Sequence, residues 1–308
     1  MARAKIKQYN FNPAPLPVRA VITLVFTIYS LVCILPILLM IAVSFTSQTE
    51  IIRNGYNFIP GEFSFSAYRI LFEDPMAIGR AYMITIGIVV VGIVANAMIC
   101  SMYAYATSRP EFAYRRVFIV MLIITMVFSG GLPAFYYMYS VILGLRNNLL
   151  AMLLPGLGSG FFIIVMHTYF RQSVPKEIIE SARIDGSREV NTYFKIVLPI
   201  STPILATIAV FTALFYWNDF FNCMIFIDQT PLYNLQYTMQ RALMNVEALK
   251  RQITISPAAS LIFTSQGDLP GESLRMAMVV LGIGPIVAVY PFFQRYFVSG
   301  LTLGSVKE

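Results

Sequence analysis

Apolar residues run through this chain in six long blocks, at about 20–45, 82–107, 117–140, 149–170, 200–227 and 275–298. A helix needs roughly 20 mostly apolar residues to cross the hydrocarbon core of a bilayer, and every block supplies them. The pattern predicts an all-α membrane protein with six transmembrane helices, its membrane domain covering 20–298. Polar connections separate the blocks, the longest being 46–81, 171–199 and 228–274, with tails at 1–19 and 299–308. The apolar core of the first block, 21–43, is longer than a signal-peptide h-region, and no A-x-A-like cleavage site follows. It is expected to stay as an anchor.

Composition agrees with a lipid solvent. Apolar residues make up 57% of the 308 positions and charged residues 12%, against roughly 45–50% and about 25% in soluble domains. Mean hydropathy is +0.70. Intrinsic disorder is excluded on the same ground. Cys33, Cys100 and Cys223 all fall in apolar blocks, which argues against a disulfide framework or a thiolate zinc cluster and for small core residues.

The placement of charge sets an orientation. Of the 22 Lys and Arg residues, 14 fall on the side holding the N-terminus, the 108–116 loop, the 171–199 loop and the C-terminal tail, counting Arg295 with that tail. That side also has the shorter connections. The positive-inside rule then places both termini in the cytoplasm. The net charge of +7 is explained by this asymmetry, and no nucleic acid is expected as a partner.

Glycine and proline interrupt the fourth block at Pro155, Gly156, Gly158 and Gly160, and the sixth at Gly282, Gly284, Pro285 and Pro291. Two readings stay open: close helix packing through small residues, or bends beside a transport path. There is no P-loop for ATP, no dinucleotide fingerprint around Gly156–Gly160 and no nucleophile elbow or Ser/His/Asp set. The single histidine, His167, reads as a helix-end polar residue. Away from block ends, Asp219 is the exceptional charge. A proton- or sodium-coupled carrier usually holds more such groups, so the energy for any transport is expected from outside this chain.

The 171–199 loop is the most informative segment. It predicts two short helices. Ser173 is a candidate N-cap, with Pro175 and Glu177 in the first turn, and the helix should run to about Ile184. Asp185-Gly186 breaks it, Ser187 can cap a second helix with Glu189 near its positive end, and Pro199 should stop that helix. Ile178, Ala182 and Ile184 form an apolar strip flanked by Glu180, Arg183 and Asp185. Taken alone, such a loop could simply be solvated.

The spacing adds a specific signal. Glu180-Ser181-Ala182, three residues, Gly186, nine residues, Ile196, one residue, Leu198-Pro199 resembles the E-A-A-x3-G-x9-I-x-L-P motif of permease subunits in ATP-binding-cassette importers. Ser181 is the one departure, small for small. Phe215-Tyr216-Trp217-Asn218-Asp219-Phe220 is similar to a W-N-D-F segment of the sugar-importer branch, and the 299–307 tail to its G-L-T-x-G-x-V-K ending. Over nearly its whole length the chain resembles the smaller permease of maltose-type systems.

The resemblance implies a type I ABC importer permease fold. It implies a coupling helix carrying Glu180, Ser181, Ala182, Asp185, Gly186, Ile196, Leu198 and Pro199 that sits in a groove of a cytoplasmic ATPase. Gly300, Thr302, Gly304 and Lys307 of the tail are then a second ATPase contact, with a frayed terminus as the alternative. The implied partners are a second homologous permease, two copies of an ATPase subunit, an extracytoplasmic sugar-binding protein or lipoprotein, and membrane lipid. ATP and Mg2+ belong to the ATPase, this chain binding no cofactor or metal and not being an enzyme. Trp217, Asn218 and Asp219 are candidates for the translocation path, with structural bonds as the alternative for Asp219. Tyr233, Gln236, Tyr237 and Gln240 suit either sugar contact at a docking surface or a membrane-interface belt. A self-contained secondary transporter or channel, and an ABC permease for a non-sugar solute, remain the competing functions.

Overall fold

A computed structural model describes residues 15–255 and 271–287. All regular elements there are helices; pairing between extended segments is limited to one isolated bridge, Thr46 with Phe63. Helix α1, Leu16–Ser44, fills the first apolar block. At about 1.5 Å per residue it is long enough to span a bilayer with tilt. Its 18-residue apolar window is 0% buried, so no described residue of its own unit covers it. Cys33, expected in a core, is exposed on this helix. The second block is α2, Pro75–Ser108, started by Asp74, whose side chain accepts from the Ala77 amide at 3.0 Å.

The next blocks are broken. Block three is α3, Arg115–Val127, and α4, Gly131–Ile142, bent by 114°. Block four is α5, Leu150–Gly156, and α6, Gly160–Ser173, bent by 45°. The loop that follows holds α7, Lys176–Ile184, and α8, Glu189–Ile200, the latter turning by 78° into α9, Thr202–Trp217. Block five ends with α10, Phe221–Phe226. Then come α11, Leu235–Ile255, and α12 over 272–287. Two described helices are long and apolar enough to cross a membrane by themselves, or up to five when each bent pair counts as one span. The remainder of block six and the 299–308 tail, with Gly300, Thr302, Gly304 and Lys307, lie outside the described residues.

The chain divides into two compact units, 1–67 with 268–280, and 68–267 with 281–308. In the first, Ser47 caps Gln48–Asn54 by accepting from the Glu50 amide. The buried Gln48 side-chain oxygen Oε1 accepts from the Gly271 and Glu272 amides at 2.7 and 2.9 Å, satisfying the start of α12.

In the second unit α2 is the central post, packed against α6 and α9. One apolar cluster gathers on Ile88, Met152, Tyr216 and Phe226; another gathers on Cys100, Tyr105, Met166 and Val197. Between these positions on α2 sits Asn96, fully buried. Its amide donates to Thr212 Oγ1 at 2.8 Å, and its carbonyl oxygen accepts from the Gly158 amide at 2.9 Å. The Tyr216 hydroxyl donates to the Leu153 carbonyl at 2.7 Å. Gly158 N–H and Leu153 C=O flank the α5–α6 break, so neighbouring helices satisfy the backbone groups near it, as an apolar solvent demands. Gly156 is glycine because an added Cβ would lie 2.6 Å from the Phe215 and Tyr216 rings. Gly160 is likewise a close-packing position, where an added Cβ would lie 2.6 Å from Met126, while Gly158 takes the left-handed φ of +70°. Replacing Asn96 with leucine should strand the Gly158 amide and destabilise the fold by about 1–3 kcal/mol. Denaturant titration in mixed micelles would measure this, with Thr212→Val costing less.

Candidate functional site

The 171–199 loop forms a ledge at one end of α2 and α6. Helix α6 runs through Ser173, so that residue closes one helix and does not cap the next. Val174 is extended and buried, and Pro175 precedes α7 without a side-chain cap. Helix α7 ends at Ile184 in a Schellman motif. The Gly186 amide donates to Arg183 O at 3.0 Å and the Ser187 amide to Ala182 O at 2.9 Å. Gly186 has φ +76°, and a Cβ there would meet nothing within 4 Å. Backbone conformation, and not crowding within the chain, requires glycine at this position. Ser187 does not cap α8; its hydroxyl accepts from Thr192 Oγ1 at 3.1 Å, and the N-cap position is Arg188. Pro199 does not stop α8, which continues to Ile200 and turns at Ser201. A proline cannot donate to the carbonyl four residues back, and the turn just before it, Tyr193–Val197, widens into a π-helix.

The ledge has an inner and an outer face. Ile179 and Ala182, three apart, are buried, as are Tyr193 and Val197 on α8. Ile179, Tyr193 and Val197 join the cluster of Tyr105, Phe170 and Val174. The expected strip of Ile178, Ala182 and Ile184 is therefore split, with Ala182 turned inward and the isoleucines outward, because a helix turns 100° per residue. Outward lie Ile178, Glu180, Ser181, Ile184, Asp185 and Val190. Ile184 is 86% exposed and Val190 65%, although this is the polar end of the unit. Ile196 and Leu198 are half-buried and Pro199 exposed.

Polar contacts fix the ledge to its base. Arg183 donates to Glu189 at 2.9 Å and to Glu111 at 3.2 Å. The Tyr105 hydroxyl, in the last turn of α2, donates to the other Glu189 oxygen at 2.8 Å. The hydroxyls of Ser101 and Tyr193 share a hydrogen bond of 2.6 Å. The Arg183 guanidinium holds the Glu189 carboxyl below its ordinary value of 4.5, helped by the Tyr105 hydroxyl and opposed by partial burial. A depressed carboxylate contributes stability above its unfolded pKa and loses it as pH falls through the folded one. Amide-exchange protection of 176–197, corrected for intrinsic rates, should therefore hold steady from neutral pH to about 4.5 and fall only below it. Glu189→Gln should remove that acid-side step.

At the end of α9, Trp217, Asn218 and Asp219 part company. Trp217 is buried and donates from Nε1 to the Gly282 carbonyl of α12 at 2.9 Å. Asp219 accepts from the Asn222 amide at 3.0 Å and from its side chain at 2.9 Å, and its own carbonyl accepts from Asn234. Both residues therefore hold the junction of α9, α10 and α12. Asn218 is exposed. Nearby, a cavity of about 520 Å³ is lined by Asp228, Tyr233, Tyr237 and Arg241 among others. Tyr233 is buried and stacks edge-on with Tyr237 at 4.8 Å, while Gln236 is half-buried and Gln240 exposed.

Residues 110–303, including the whole ledge, match the family described as binding-protein-dependent transport system inner membrane component. The chain belongs to that family. It is a membrane-embedded permease and resembles transport permeases throughout, not enzymes. It is 32% identical over 289 residues to the polygalacturonan/rhamnogalacturonan transport system permease protein YtcP of Bacillus subtilis, covering 91% of this chain and 94% of that one. It is 28% identical over 294 residues to the arabinooligosaccharides transport system permease protein AraQ of Halalkalibacterium halodurans, covering 93% and 95%. A solved chain from a bacterial ABC transporter involved in the import of the acidic polysaccharide alginate superposes with a TM-score of 0.73 at 28% identity, covering 91% of the permease and 96% of that chain.

Within the permease, sequence reasoning found the outer edge of the ledge and missed its footing. Tyr105, Glu111 and Ser101 lie 60 or more residues before the loop in sequence, and only the fold brings them there. Ile179 had a local signal, since its three-residue spacing from Ala182 marks a buried face.

Proposed function

We propose that this permease is one half of the membrane path of an ATP-driven importer for a sugar, most simply an oligosaccharide. The ledge is its coupling element. One observation carries the reading: a motif-bearing helix pair is rigidly footed on the membrane core yet presents bare isoleucine and valine to the polar side. Exposed apolar residues rimmed by charge mark a protein contact. Glu180, Ser181 and Asp185 form that rim, Gly186 sets the angle between α7 and α8, and Ile196, Leu198 and Pro199 carry the motion into α9. Ala182 contributes through the Schellman carbonyl and inner packing.

The assembly pairs this chain with a homologous permease, two ATPase subunits that bind ATP and Mg2+, and an extracytoplasmic sugar-binding protein. Six helices cross the bilayer with both termini cytoplasmic, and the 300–307 tail makes a second ATPase contact. ATP binds the closed ATPase dimer more tightly, and that difference shifts the permease between inward- and outward-facing arrangements. Asn218 lines the path while Trp217 and Asp219 hold it in place, and the tyrosine-lined cavity beside α11 receives the delivered sugar. The relatives' names support the carbohydrate class.

The test is uptake by proteoliposomes holding the complete transporter, offered neutral and acidic oligosaccharides. Uptake should need both the ATPase and ATP. Uptake by this chain alone, without an ATPase, would favour a secondary transporter instead. Uptake of only peptides or amino acids would favour a non-sugar permease.

A further inference from the structure

A second feature of the ledge is unused by coupling. Between the end of α2, the start of α3 and the end of α6 lies a cavity of about 410 Å³. Arg109, Arg115, Arg116, Arg171 and Lys176 line it, and among the described residues no carboxylate does. The nearby acids are already engaged, since Glu111 and Glu189 both bind Arg183. Arg109 stacks over the Tyr105 ring with its Cζ 4.4 Å from the centroid. Its Nε and Nη2 are buried and find no hydrogen-bond partner among the described residues. A guanidinium edge held this way is suited to an anionic oxygen, to which it can donate a charge-assisted pair. Its planar fork matches phosphate.

Part of the lining is apolar. Ile119 lines the cavity with Phe170 and Val174, which are 3% and 4% exposed. Just beyond, α3 presents Val117, Val120 and Met121 more than half exposed, as a lipid-facing helix does. A cluster of cations at helix ends, opening beside a lipid-facing stripe, combines the features of a headgroup site. We propose that this cavity binds the phosphate of an anionic phospholipid, with the acyl chains lying along α3, and so ties the base of the ledge to the bilayer. The proposal rests on the chain spanning a membrane, but not on which solute is carried or on which partner grips the ledge.

The experiment is a titration of the assembled transporter in detergent with phosphatidylglycerol, read by native mass spectrometry. Phosphatidylcholine and inorganic phosphate serve as comparison probes. Phosphatidylglycerol should be retained well above phosphatidylcholine. At about fivefold per charge, Arg109→Gln with Arg171→Gln should weaken it about 25-fold. Arg109→Lys with Arg171→Lys keeps the charge but loses the planar fork, so its binding should fall between wild type and the glutamine variant, and Arg188→Gln with Lys195→Gln, on the same loop but outside the cavity, should change nothing. Equal retention of the two lipids would overturn the proposal, as would unchanged binding in the Arg109/Arg171 glutamine variant. So would displacement of the lipid by inorganic phosphate at equal concentration, which would make this a site for a soluble anion. The lipid preference can fail while sugar uptake stands, and the reverse, so the two readings are tested separately.

Discussion

Gly186→Pro should reduce sugar uptake to background while ATP hydrolysis by the assembled transporter continues. Gly186 sits at φ +76°, whereas proline is fixed near −65°. The substitution also deletes the amide that donates to Arg183 O. Losing both the left-handed turn and its bond removes the Schellman closure and should re-aim α7 against α8. Insertion and folding should survive, because Ile179, Tyr193 and Val197 still anchor the ledge from within. Gly186→Ala keeps the amide and carries only about 1–2 kcal/mol of left-handed strain, so its uptake should be intermediate. Parallel measurements of uptake and ATPase rate in proteoliposomes check this, and normal uptake in the proline variant would remove Gly186 from the coupling role.

Ile184→Asp should release the ATPase from the membrane complex with little effect on the permease itself. At 86% exposure, Ile184 contributes almost nothing to its own fold, so the melting temperature in detergent should hardly move. At the centre of a contact, an apolar anchor is commonly worth about 2 kcal/mol or more, which corresponds to binding weakened about thirtyfold. Val190→Asp should act in the same direction, and Glu180→Lys should weaken docking by reversing a rim charge. Surface plasmon resonance of the purified ATPase on permease-containing nanodiscs reads these effects. Equal affinity for wild type and Ile184→Asp would show that the outer face of α7 is not the docking face.

Block length and hydropathy were legible because lipid imposes a simple rule, that each span needs a minimum run of apolar residues. Sharp bends were less legible. The 114° bend after Val127 falls at Gly130-Gly131, with Gly131 at φ +72°, and the 78° bend after Ile200 falls at Ser201, just before Pro203; Pro199 lies inside a helix that finds room for it by widening. The capping expectations at Ser173 and Ser187 went astray. Both serines have the right chemistry, but α6 packs against α2 through Phe170 and carries its helix past Ser173, while Thr192 binds the Ser187 hydroxyl. The glycine at 186 was readable because a left-handed helix end is a local demand that only the residue's own backbone meets. Residue type groups Trp217, Asn218 and Asp219 as path candidates; the fold ties Trp217 to Gly282 and Asp219 to Asn222 and Asn234, and leaves Asn218 exposed with its side-chain amide on the Leu214 carbonyl.

The most direct test of the account is cross-linking between this ledge and the ATPase. With exposed Cys33 first changed to serine, single cysteines at Ser181, Ile184 and Ser173 would be introduced into the assembled transporter. A short bifunctional thiol reagent would then join the permease to cysteines placed around the apolar groove of the ATPase. Efficient cross-links are expected from positions 181 and 184, weaker ones from 173, with yields at 184 that change when ATP is bound. Absence of any 181 or 184 product, with the ATPase instead captured through another face of the permease, would contradict docking on the ledge.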